Sequence, residues 1–183
     1  MTLRPSADVQ ARIRSANAAN GWSVPTLATE RTAIVARLAL AITEVAEAIE
    51  VVRSPTIDDD HLAEELADVV IRLFDLGSGL NVEVLSAHTP RTDVPGGFDP
   101  TTVDGLVAAL GVIAASTARL MDLFVFAPDG LPPTVADISH GLAVPCAQVE
   151  ALATTLRLDL SGAVDAKIAR NAARGFRHGG RTI

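Results

Sequence analysis

Two pairs of carboxylates, Glu44 with Glu47 in ITEVAEAIE and Glu65 with Asp68 in LAEELADVV, constrain the fold of this chain most sharply. Within each pair the residues stand three apart, which on an α-helix puts both side chains on one face, one turn from each other. Their neighbours are mostly Ala, Val, Ile and Leu, so both helices are expected to be buried. The link SPTIDDD between them is short, and short links make antiparallel neighbours. Two such helices bring four carboxylates together. At that density bare charges repel and are costly to desolvate, so the arrangement calls for a cation. Hard oxygen donors suit Mg²⁺, with Mn²⁺ as the alternative, and Mg²⁺ held by carboxylates usually shares its coordination with a phosphate substrate.

The same spacing also occurs on solvated helix faces, but the apolar setting of both pairs together argues against that here. Glu50 and Glu64 extend the acidic stripes and are read as solvent-facing or as supports behind the ligands. Asp58, Asp59 and Asp60 are read as capping oxygens and first-turn charge for the second acidic helix.

With 183 residues, 49% hydrophobic and 20% charged, the chain is expected to form one domain, 1–183, with a sizeable core. Tyr is absent and aromatics make up 3%, while Ala, Leu and Val dominate, which favours packed helices over sheet. The expected fold class is therefore all-α, a helical bundle. A formal charge of −7, with no basic cluster outside the C-terminus, argues against a nucleic-acid polymer as partner. Cys146 has no companion for a disulfide or a metal and reads as a small core residue. The start MTLRPSADVQARIRS lacks an apolar leader, so a cytoplasmic location is expected. The apolar stretch 103–127 is broken by Arg119 and Asp122 and reads as a buried helix, with no membrane partner.

Along the chain, helices are expected at about 6–19, 26–53 and 59–77, with a short continuation in VEVLSAH. The Pro- and Gly-rich segment 89–100 is the clearest loop, and helices follow at about 101–126, 134–157 and 161–175. The halves 1–88 and 101–183 can be overlaid at an offset of 72–75 residues with few identities. In that overlay Ser116 and Arg119 stand where Glu44 and Glu47 would be, and His140 and Ala143 where Glu65 and Asp68 would be. The second half is either a degenerate copy, giving an intrachain pseudo-dimer, or an unrelated insertion.

In DAKIARNAARGFRHGG, Lys167, Asn171 and Arg174 share one helical stripe and offer a point charge, an amide and a planar fork to phosphate. A solvated C-terminal helix with cations favourable to its dipole is the alternative. Arg170 and Arg177 lie off the stripe and are expected to be exposed. His178, before two glycines, either closes over a phosphate or lies in a free tail.

Taken together, Glu44-x-x-Glu47, 17 residues, Glu65-x-x-Asp68, and then Lys167-x-x-x-Asn171-x-x-Arg174 with His178-Gly179-Gly180 resemble the MazG-like branch of the all-α nucleoside triphosphate pyrophosphohydrolases. The texts EELADVVIRLFDL and KIARNAARGFRHGG carry the likeness most strongly, and the matching stretches cover about 10–88 and 145–181. The chain departs from the family in the roughly 80 residues between the acidic helix and the K-N-R helix. The resemblance implies Mg²⁺-dependent cleavage of a nucleoside triphosphate between its α- and β-phosphates, giving a monophosphate and pyrophosphate. It also implies metal ligation by Glu44, Glu47, Glu65 and Asp68, with Glu44 or Glu47 as general base. Phosphate would be held by Lys167, Asn171, Arg174 and His178. Trp22, with Asn17 nearby, would stack on the base or merely anchor packing. The family habit of building its site in a dimer implies a homodimer or, within one chain, the pseudo-dimer. The alternatives are a non-catalytic nucleotide or metal sensor and a helical interaction protein.

Overall fold

The computed structural model describes residues 7–84, 94–128 and 131–173, and within these it contains six α-helices and no strand. They are α1 (Ala7–Ala19), α2 (Arg31–Val52), α3 (Asp59–Gly79), α4 (Val103–Val125), α5 (Val135–Leu156) and α6 (Leu160–Ala173). The protein is thus an all-α helical bundle.

Local chemistry sets the helix starts. Asp58 accepts the backbone N–H of His61 at 3.0 Å, so the aspartate run opens α3. Thr102 caps α4 through the N–H of Gly105, and Thr134 with Asp137 forms a reciprocal capping box on α5. Sequence places the start of α2 near Thr26, yet the helix begins at Arg31. The Glu30 carboxylate accepts the N–H groups of Thr26 and Leu27 at 2.8 and 2.9 Å, which holds this segment as a turn.

The end of α3 also differs from expectation. Gly77 and Gly79 lie inside the helix, where a Cβ would collide with the Val84 and Val24 side chains respectively, so they allow close approach rather than ending the helix. The reversal comes at Asn81, in the left-handed region at φ 55°. Of VEVLSAH, residues 82–84 are not helical and the rest lies outside the described residues.

Four helices form a ring: α2 packs on α3 and α4, and α5 packs on α4 and α3. Leu38, Leu66, Leu73, Phe74, Leu110, Ile113, Leu120 and Phe124 fill it, all essentially inaccessible to water. Each such side chain contributes about 1.5–3 kcal/mol of transfer free energy. Exchanging the α2–α3 pair with the α4–α5 pair leaves the ring's packing pattern unchanged. The asymmetry lies outside the ring, where α1 and α6 pack on α3 and on each other. α4 is long and apolar enough to cross a membrane, and here its inward face, from Leu106 to Phe124, packs against α2 and α5.

Candidate metal and phosphate site

The antiparallel register of α2 and α3 sets Glu44 beside Arg72 and Glu47 near Glu65. Carboxylate oxygens of Glu44, Glu47 and Glu65 lie within 4.8 Å of one another. Adjacent and opposite oxygens around a six-coordinate Mg²⁺ are separated by about 3 and 4 Å, so small rotamer changes would let these three share one ion. The donor set, carboxylate oxygen only, is the right chemistry for such an ion. Glu44 and Glu65 are each 7% exposed, whereas Glu47 faces solvent.

The fourth acid, Asp68, stands apart from this cluster in its bonding. Its Oδ2 accepts from Lys167 Nζ at 2.5 Å, across from α6. Glu44 is likewise paired: Arg72 Nε and Nη2 reach its Oε1 at 3.0 and 2.9 Å. His61 Nε2 lies 3.0 Å from Glu65 Oε1. Burial pushes the Glu44 carboxyl up, against the pull of Arg72, and the nearby Asp68 and Glu47 charges push the same way. Burial likewise raises Glu65, opposed by Lys167 and reinforced by Asp68 and Glu47.

One cavity of about 310 Å³ gathers most of these groups, though Glu65 and His61 do not line it. Glu44, Glu47 and Asp68 line its acidic side, Lys167 and Asn171 come in from α6, and Asn17 and Trp22 from the end of α1 and the turn after it. The Asn20 side chain donates to the Asn171 carbonyl, tying the end of α1 to α6. Arg174 and His178, the remaining phosphate-binding candidates, lie outside the described residues, as does Arg177.

Three charged lining residues escaped the sequence reading: Arg37, Arg72 and Asp75. Arg37 stands seven before Glu44, and Arg72 and Asp75 stand four and seven after Asp68, on the same helix faces, but that spacing alone does not tell a solvated charge from one that lines a cavity. Arg37 Nη2 donates to the Ser23 carbonyl at 2.5 Å. Burial lowers its pKa, opposed by Asp75. Asp75, 8% exposed, accepts from Arg14 Nη1 at 2.7 Å. Burial raises its pKa, and Arg14, Asn17 and Arg37 oppose that rise.

Glu50 is exposed and pairs with Arg53. Glu64 is half-buried and accepts Arg170 at 2.8 and 3.2 Å, with Lys167 3.6 Å away. Arg170 is exposed as expected, and it pairs with Glu64 between α6 and α3.

Ser116, Arg119 and His140, the counterparts of Glu44, Glu47 and Glu65 in the overlay, line a second cleft of about 430 Å³ between α4 and α5. Ala143 departs from the expectation: it is fully buried in the core and does not line that cleft. Leu120, Leu123, Gly141 and Val144 make the cleft largely apolar, and among the described residues it contains no acidic cluster comparable to the first. No protein-family model, curated protein or solved structure matches this chain.

Proposed function

We propose that this protein is a Mg²⁺-dependent nucleoside triphosphate pyrophosphohydrolase, cleaving between the α- and β-phosphates to release a monophosphate and pyrophosphate. The observation that carries the reading is the single cavity lined jointly by Glu44, Glu47 and Asp68 and by Lys167 and Asn171, with Arg37 and Arg72 beside them. Acids alone would serve a stored cation. Acids facing cations and an amide across a cleft fit a metal-bound polyphosphate.

Glu44, Glu47, Glu65 and Asp68 would hold the metal, which when bound neutralises phosphate charge and acidifies a water. Lys167 and Arg72, now paired with Asp68 and Glu44, would turn to phosphate oxygens, with Asn171 as a neutral donor. Glu47, the most exposed of the cluster, is best placed to accept the proton of an attacking water, with Glu44 the alternative. Among the described residues, the groups named here come from α2, α3 and α6 of one chain.

The test is pyrophosphate release from a panel of nucleoside triphosphates, with and without Mg²⁺. One observation favours a second reading, a non-catalytic nucleotide or metal sensor: two of the four acids already have cationic partners. A sensor would gain thermal stability from Mg²⁺ and nucleotide without releasing pyrophosphate.

A further inference from the structure

We propose that the cleft between α4 and α5 is a second binding site, for a small amphipathic carboxylate: an apolar body larger than one ring, carrying a single anionic head. The inference stands apart from the activity proposed above. On α4 the lining residues Ser116, Arg119, Leu120 and Leu123 fall at i, i+3, i+4 and i+7, and on α5 Asp137, His140, Gly141 and Val144 do the same, so each helix turns one continuous stripe to the cleft. Gly141 keeps the walls close, because a Cβ there would collide with the Leu120 side chain. The volume of about 430 Å³ is nearly three times the roughly 150 Å³ that holds benzene in a dry protein cavity, and it falls within the range of small-molecule pockets.

Two polar groups on α4 supply the chemistry for the head. Ser116 is 8% exposed and lines the cleft, yet its hydroxyl makes no hydrogen bond among the described residues, whereas the neighbouring Thr117 hydroxyl donates to the Ile113 carbonyl at 3.0 Å. A buried hydroxyl without a partner is costly, and an acceptor on a ligand in the cleft relieves that cost. Arg119, one turn along the same stripe, is exposed and forms no ion pair or hydrogen bond among the described residues. A guanidinium and a hydroxyl one turn apart match the two oxygens of one carboxylate. The acid on the facing wall, Asp137, is committed elsewhere: its Oδ2 accepts the Thr134 N–H and hydroxyl at 3.1 and 2.6 Å in the cap of α5. A single guanidinium with Asp137 across the cleft suits a monoanion rather than a polyphosphate, and Leu120, Leu123 and Val144 supply apolar surface for its body.

The experiment is a calorimetric titration of 2-naphthoate against 2-naphthamide, which has the same rings and no charge, into the wild-type protein, Arg119→Gln and Ser116→Ala. One molecule of 2-naphthoate is expected to bind per chain, at least about tenfold more tightly than the amide. Arg119→Gln, at an exposed position, should bring the two ligands within about twofold of each other, and Ser116→Ala should weaken the naphthoate by about three- to tenfold. Absence of saturable naphthoate binding, equal binding of acid and amide, or wild-type naphthoate affinity in Arg119→Gln would each overturn the inference. Naphthoate affinity unchanged in Ser116→Ala would overturn the part given to the hydroxyl. The comparison of acid with amide in the wild-type protein decides the matter even if a variant does not fold. Pyrophosphate release plays no part in the readout, so either result leaves the pyrophosphohydrolase reading to its own test.

Discussion

Lys167 Nζ lies 2.5 Å from Asp68 Oδ2, joining α6 to α3 across a sequence separation of 99 residues. Both side chains are largely buried, so the pair sits where charge interactions are felt more strongly than at the surface. Lys167 neutralises an acid that the proposed metal would otherwise use. Lys167→Met keeps the length and removes the charge. It should raise the Mg²⁺ affinity of the nucleotide-free protein by roughly three- to tenfold while lowering turnover, because the phosphate contact is lost. Calorimetric titration with Mg²⁺ checks the first half, and unchanged affinity would break the link between Lys167 and the metal cluster.

Metal binding should weaken on acidification sooner than at an ordinary glutamate site. Glu44 and Glu65 both have pKa values raised by burial above 4.5, so protons compete with the cation at higher pH. Mg²⁺ titrations across a pH series should show affinity falling as the pH descends toward that raised range. An affinity that holds steady until the usual carboxylate range would contradict the burial of these groups.

Much of the carboxylate arrangement was legible because helical spacing and apolar flanks survive in one dimension: Glu44, Glu47, Glu65 and Asp68 all appear on facing helices. Lys167 and Asn171 were legible for the same reason. Arg72 and Asp75 were not, since a single charge four or seven residues along a helix looks the same whether solvated or buried, and only packing by α1 and α6 decides. The roles of Gly77 and Gly79 were hidden likewise, because the Val84 and Val24 side chains that crowd them arrive from turns flanking the helices.

Glu150 gives a stability test away from the site. Its Oε1 is buried with no hydrogen-bond partner among the described residues, and burial raises its pKa to about 7. Folding therefore tightens its hold on the proton, so stability should rise as the pH falls from above 7 toward the ordinary value of 4.5. Glu150→Gln should stabilise the protein at pH 8 by about 1 kcal/mol, allowing for partial exposure, and make little difference near pH 5. Thermal denaturation at both pH values measures this.

Arg170→Ala removes an exposed pair with Glu64 and leaves the cavity lining intact. Exposed pairs contribute little, so melting should shift by less than about 1 kcal/mol and hydrolysis should stay within about twofold. A larger loss of activity, with the fold preserved, would mean that Glu64 and Arg170 position Lys167.

The most direct measurement is Mg²⁺-dependent pyrophosphate release by the wild-type chain and by Glu47→Gln. Glu47 is solvent-facing, so the substitution should leave the fold intact, which circular dichroism verifies. Loss of a negative ligand and of the proton acceptor should lower turnover by at least about 100-fold. Full metal-dependent activity in a well-folded Glu47→Gln protein would contradict the account, because the carboxylate cluster would then not be the catalytic centre.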